Sequence, residues 1–115
     1  MSHAVLNELL DIGQRYAPEY QGGLSNHLPM ALVALQRLGA HGERLREFFE
    51  RYTPKLGLAP RRGQALADWR EWLGHVAAYA DLHETFRARV EHVGTPALLR
   101  ETLPLLWPGA GAAAF

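Results

Sequence analysis

The chain carries six histidines and no cysteine. One of them, His27, stands where chemistry is most readily placed. It sits in the run Leu24-Ser25-Asn26-His27-Leu28-Pro29-Met30, and the residues that follow, Ala31 to Leu35 and Leu38, are almost wholly apolar. The spacing predicts a helix over residues 26–39 with His27 in its first turn. A polar ring at the mouth of a buried helix needs a hydrogen bond, a metal or a ligand. Ala31 and Ala34, at i+4 and i+7, leave room beside the imidazole. The positive helix end favours neutral imidazole, the form that binds metals. The competing reading is a core histidine bonded to a backbone carbonyl.

His83, between Tyr79 and Phe86 in sequence pattern, is the second buried candidate, with the same alternative. Glu84 follows it, but position 87 is Arg87, so there is no His-Glu-x-x-His. His3, His41, His75 and His92 fall at helix ends or on polar faces. No local spacing completes a metal site. One would need histidines from different helices, or from outside this chain.

Other chemistries are excluded. Without cysteine there is no disulfide, thiolate nucleophile or cysteine zinc site. Gly109-Ala110-Gly111-Ala112-Ala113-Ala114 fits a dinucleotide pattern loosely, but it follows a helix and no βαβ unit surrounds it. No nucleophile elbow or P-loop occurs. Trp69, Trp72 and Tyr79 have the spacing of core packing rather than of a stacking platform. Lys55, Arg61 and Arg62 read as a solvated loop. Twelve basic residues balance twelve acidic ones, so no electrostatic footprint for nucleic acid or an anionic membrane exists. That balance also eases self-association. No apolar run approaches the roughly 18 residues of a membrane span. The N-terminus, with His3, Asn7, Glu8 and Asp11, does not read as a signal peptide. A soluble cytoplasmic protein is expected.

The elements that must position these groups all read as helices. Val5, Leu6, Leu9, Leu10, Ile12 and Tyr16 form one stripe, with Ser2 as a candidate cap. Pro18 and Gly22-Gly23 end that helix in a loop. Ser25 or Asn26 can cap the second helix, and Pro29 is tolerated in its first turn. Because it lacks a polar face, it is expected to be covered on all sides. A third helix places Leu45, Phe48, Phe49, Tyr52 and Leu56 on one side, with Glu47 and Arg51 at pairing distance. Residues 53–63 form a linker. Trp69, Trp72, Val76, Tyr79, His83, Phe86, Val90 and Val93 alternate in steps of three and four, which predicts a helical seam that Gly74 can interrupt. A last helix is capped by Thr95, carries Leu99, Leu103 and Leu106 on one side, and bends at Pro104. No strand pattern occurs. Residues 110–115 read as the opening of a further helix. The result is one all-α domain over residues 1–115, an orthogonal or bundle-like array of about five helices. Its core reads as incomplete, so that it is either a fragment or completed by oligomerisation.

The run over residues 16–40, YAPEYQGGLSNHLPMALVALQRLGA, resembles the N-terminal region of the questin oxidase-like family. Its Asn26-His27 pair and the following Ala/Leu-rich helix are the distinctive part. Weaker matches lie at Trp69 to Gly74, and at Leu103-Pro104 with residues 108–115. The resemblance implies a longer, all-helical oxidoreductase. Characterised fungal relatives open an anthraquinone ring by oxygen insertion. Some relatives use histidine-bound non-haem iron with dioxygen, and others NADPH. Carried onto this sequence, the likeness implies His27 as a metal ligand or catalytic histidine and Asn26 beside it. It implies Tyr16, Tyr20 and Met30 around an aromatic substrate. It does not extend to His83, and it implies that a family helix bearing another histidine continues past Phe115. A non-enzymatic helical module that binds a partner or itself is the alternative, as is an inactive truncated product.

Overall fold

The computed structural model describes residues 3–60 and 62–109. The expected Ser2 cap, Arg61 and the tail over residues 110–115 lie outside them. The fold is all-α, with five α-helices: α1 (His3–Gly13), α2 (Leu28–Arg37), α3 (Gly42–Tyr52), α4 (Tyr79–Val93) and α5 (Thr95–Leu106). Strands β1 (Glu19–Tyr20) and β2 (Leu24–Ser25) pair antiparallel, Glu19 opposite Ser25 and Tyr20 opposite Leu24. This corrects the expectation of no strands. Two-residue strands are too short for alternation to show, and the turn alone marks them. Gln21 (φ 49°) and Gly22 (φ 78°) supply its left-handed conformations. The chain forms two compact units, Met1–Ala59 and Pro60–Phe115.

Unit 1 is built on leucine. Leu6 and Leu9 of α1, Leu28 and Leu32 of α2, and Leu45 of α3 form its buried core. Phe48, Phe49, Tyr52 and Leu56 pack against it, as the periodicity of α3 predicts. Each buried leucine contributes about 1.5–3 kcal/mol. Gly42 lets α3 meet α1 closely, because a Cβ there would lie 2.9 Å from Val5 Cγ2. Glu8 and Arg46 join the same helices by a two-pronged ion pair, 2.7 and 3.3 Å. α2 ends when Gly39 takes φ +95°. The Gly39 and Ala40 amides then donate back to the Gln36 and Leu35 carbonyls, at 3.0 and 2.9 Å. The expectation that α2 is covered on all sides does not hold within this unit. One face carries Leu28 and Leu32, while Met30 and Leu38 are 68% and 85% exposed.

The segment expected as a plain linker is tied down at both ends. Its first part pairs with the residues after α1. The Ala17 amide donates to the Gly57 carbonyl at 2.9 Å, the Ala59 amide donates to the Arg15 carbonyl at 2.7 Å, and Tyr16 bridges Leu58. The residues that follow it lie on α4 in unit 2. The Gln64 amide donates to Asp81 Oδ1 and the Leu66 amide to Thr85 Oγ1, both at 2.8 Å. A Cβ on Gly63 would collide with the Ala80 carbonyl, so glycine is needed there.

The seam expected over residues 69–93 is interrupted at Gly74, as its glycine allows, and its buried face differs from the one the apolar spacing predicts. Gly74 takes φ +83°, and the chain forms 3-10 turns at Trp69–Trp72 and Val76–Ala78 before α4 begins. Val76 is 92% exposed and His83 lies on the outer side, whereas Glu84 is buried. Burial of Glu84 rotates the helix away from the face that the apolar spacing suggests. α5 differs likewise. Leu98 and Thr102 face inward, while Leu99 and Leu103 are about half exposed. Its N-cap is Gly94 (φ 82°), not Thr95. No helix among the described residues is long and apolar enough to cross a membrane.

Candidate functional site

His27 is not inside the first helical turn. It is the N-cap residue of α2 (φ −97°, ψ 9°) and is solvent-exposed, which corrects the buried position expected from the apolar sequence after it. The reason is local. Asn26 Oδ1 accepts the Leu28 amide at 2.9 Å, which starts the helix one residue after the histidine. Asn26 Nδ2 donates to the Ala17 carbonyl at 3.0 Å, and the Asn26 amide donates to the Pro18 carbonyl at 2.8 Å. Both ends of the Asn26 side chain are thus engaged on the backbone, and they fasten the hairpin to the helix.

The imidazole itself is held in one orientation. His27 Nδ1 lies 2.8 Å from the Ser25 carbonyl. A carbonyl oxygen only accepts, so Nδ1 carries the proton, and in the neutral ring the lone pair then lies on Nε2. This is the tautomer in which a histidine takes a metal or accepts a proton through Nε2. The backbone carbonyl that the competing reading required is present, but on an exposed ring.

Tyr52 completes the support and escaped the sequence reading, which placed it only on the core side of α3. Its hydroxyl accepts the His27 amide at 2.9 Å. Its ring stacks on Phe48 at 5.5 Å and meets Tyr20 edge-on at 6.3 Å. The proximity of the Tyr52 hydroxyl pushes the Tyr20 phenol above its ordinary value. Lys55, three residues on in a 3-10 turn, is carried over the Tyr52 ring, its Nζ 3.9 Å from the centroid. Such a contact contributes about 0.5–1 kcal/mol at an exposed position. The signal that could have exposed this group is the spacing of Tyr52 and Lys55 around Pro54, read together with Tyr20.

Of the remaining expected residues, Tyr16 packs on the leucine core and meets Phe49 edge-on at 6.3 Å. Met30 is exposed three positions after His27. His83 is exposed in unit 2, with its ring 5.8 Å from Tyr79. The structure therefore gathers Tyr20, Asn26 and His27 with Tyr52 and Lys55. It places His83 in the other unit.

Among the described residues no three of His, Asp and Glu converge on a possible metal position. An open mononuclear iron site needs about three protein ligands. His27 offers one free nitrogen, so these residues do not by themselves fit an iron centre. A groove of about 470 Å³ in unit 2, lined by Leu66, Trp69, Phe86, Leu98, Thr102 and Leu105, does not include His27. Nor does one of about 580 Å³ in unit 1, which Val5, Gln36, His41 and Arg46 line.

A family model described as questin oxidase-like matches residues 24–105. The match takes in Asn26, His27, Tyr52 and Lys55 and runs through both units, while Tyr16 and Tyr20 precede it. No curated protein and no solved structure matches the chain.

Proposed function

The chain belongs to the questin oxidase-like family, and from that premise we propose that it serves an oxidoreductase of aromatic substrates. The reaction class is oxygen insertion into, or ring cleavage of, a polycyclic aromatic or quinone. The observation that carries the reading is the fixed tautomer of His27. With Nδ1–H given to the Ser25 carbonyl, Nε2 accepts the proton of a substrate hydroxyl, or fills one coordination position of a metal. Asn26 and Tyr52 act as positioning residues that hold the ring and its backbone. Tyr20 and Met30 contribute aromatic and apolar surface beside it.

Iron with dioxygen, and NADPH, enter this reading from the family alone. Among the described residues no three of His, Asp and Glu converge on a metal position, and no step is assigned to either group. The reading is tested by anaerobic titration of the purified protein with ferrous iron, and by oxygen-dependent turnover of a dihydroxyanthraquinone with and without NADPH. A gain of oxygen atoms in the product, lost in His27→Ala, is the expected result. Stoichiometric iron and turnover that survive His27→Ala unchanged would remove His27 from the site.

The exposed face of α2 favours a second reading, a helical module that packs on another copy of itself. Met30 and Leu38 are apolar and more than two-thirds exposed, and packing on a second copy would take both out of water. Sedimentation of wild type and Leu38→Lys distinguishes it. A monomer in both cases would leave this reading without support.

A further inference from the structure

The groove of unit 2 is floored by Leu98 and Thr102 of α5, which are 9% and 7% exposed. Thr85 of α4 also lines it, and the two threonines differ. The Thr85 hydroxyl is fully engaged: it donates to the Asp81 carbonyl at 2.7 Å and accepts the Leu66 amide at 2.8 Å. The Thr102 hydroxyl makes no hydrogen bond among the described residues, although a helical threonine can turn onto the carbonyl four residues back. Among those residues no sealed side-chain oxygen lacks a partner, so this hydroxyl opens onto the groove. A polar group so deep in an apolar cleft calls for a ligand or an ordered water. Arg89 and Glu101, 43% and 47% exposed at the mouth, spend their charges on one another through bonds of 2.7 and 3.1 Å. With His92 neutral, the lining carries no net charge. Leu66, Leu98 and Leu105 supply aliphatic wall, while Trp69 and Phe86 are already engaged edge-on, their centroids 5.0 Å apart. The groove follows α4 from Thr85 to His92 and α5 from Leu98 to Leu105, two helical turns or about 10 Å. Its volume of about 470 Å³ suits a small molecule.

We propose that this groove binds an uncharged, elongated aliphatic molecule that carries one hydroxyl or carbonyl oxygen. Thr102 recognises that oxygen: its hydroxyl donates to a carbonyl, or shares a hydrogen bond with an alcohol. The leucine walls take the aliphatic chain out of water. The closed Arg89–Glu101 pair selects against charged head groups, since an anion at the mouth meets Glu101 and a cation meets Arg89. The inference does not depend on the reading of His27, which belongs to unit 1. A threonine hydroxyl merely hydrated in an open groove would show none of this selectivity.

Of the three tryptophans only Trp69 lines the groove, so labelling with 5-fluorotryptophan gives a local reporter beside two controls. The probe is 1-octanol, with octanoate and octylammonium as charged counterparts and 2-naphthol as a flat aromatic one. Octanol is expected to move the Trp69 ¹⁹F resonance saturably, and more than those of Trp72 and Trp107. Affinity should fall about three- to tenfold in Thr102→Val, which keeps the shape and removes the hydroxyl, and stay within about twofold in Thr102→Ser. Octanoate, octylammonium and 2-naphthol should each bind wild type at least about fivefold more weakly than octanol. Circular dichroism establishes that each variant is folded, and the wild-type comparisons stand without the variants. A Trp69 resonance that fails to saturate below the solubility of octanol, or equal octanol affinity in Thr102→Val, would overturn the proposal. So would octanoate, octylammonium or 2-naphthol bound as tightly as octanol.

Discussion

The two units bury different chemistry. Among the described residues, unit 1 closes on five leucines with no charged group buried, whereas those buried in unit 2 are Ala78, Leu98, Glu84 and Thr102. Arg62 and Arg87 grip the Glu84 carboxylate, each with two bonds of 2.7–3.0 Å. The hydrogen bonds from Arg87 and then Arg62 hold this carboxyl well below the usual carboxylate range, against the opposing effect of burial. An apolar core tolerates wide changes of pH and salt. A pincered carboxylate does not, and removing one partner leaves a charge poorly solvated. The candidate site sits on the unit of the first kind, where the supporting shell is packed rather than charged.

That contrast can be broken experimentally, since all three tryptophans, Trp69, Trp72 and Trp107, belong to unit 2. Tryptophan fluorescence therefore reports unit 2, while circular dichroism reports both units. The largest effect is expected from Leu32→Ala, because Leu32 is fully buried. It should cost about 2–5 kcal/mol in urea denaturation followed by circular dichroism. If the tryptophan transition moves by the same amount, the two units unfold as one and the contrast fails.

Glu84→Gln tests the other side. The folded carboxyl is depressed, so its contribution is present in full above the ordinary carboxylate range and is lost as pH falls through that range and below it. The tryptophan transition of wild type should therefore weaken with acid, and that of Glu84→Gln should be flatter. An unchanged acid profile would mean that the arginine pincer is not what holds unit 2.

Smaller effects concern the site. Asn26→Ala removes the bond that starts α2 and should cost about 0.5–2 kcal/mol. Tyr52→Phe keeps the ring stack and removes only the hydroxyl that accepts the His27 amide, at about 0.5–1.5 kcal/mol. In that variant the His27 ring should no longer favour one tautomer as strongly, which ¹⁵N chemical shifts of the imidazole measure directly. Identical shifts in both proteins would confine Tyr52 to packing.

How much of this was legible depended on which force decided each element. The α3 stripe of Leu45, Phe48, Phe49 and Tyr52 was readable because amphipathic periodicity and burial coincide there. The seam from Trp69 to Val93 was legible in its break at Gly74 but not in the face that α4 buries. Its apolar spacing is real, but the Arg62–Glu84–Arg87 cluster turns the helix. Arg62 is distant in sequence from Glu84, so no local pattern reveals the pairing. His27 was found by its residue type. Its exposure and tautomer were not, because they depend on one carbonyl of a two-residue strand and on a tyrosine hydroxyl from α3. Lys55 looked like a loop charge until the turn after Tyr52 placed it over a ring.

The pairing of Arg15 and Ala17 with Ala59 and Gly57 has a consequence for how unit 1 assembles. It joins the two ends of the segment that holds α2, α3 and the hairpin. A contact of such long sequence separation requires the intervening chain to be ordered first, or requires the full closure entropy to be met at once. In kinetic terms the clasp belongs to the late side of folding, after the leucines have condensed. The hairpin that orients His27 begins just after Ala17, so the clasp also anchors the start of the segment that holds the imidazole.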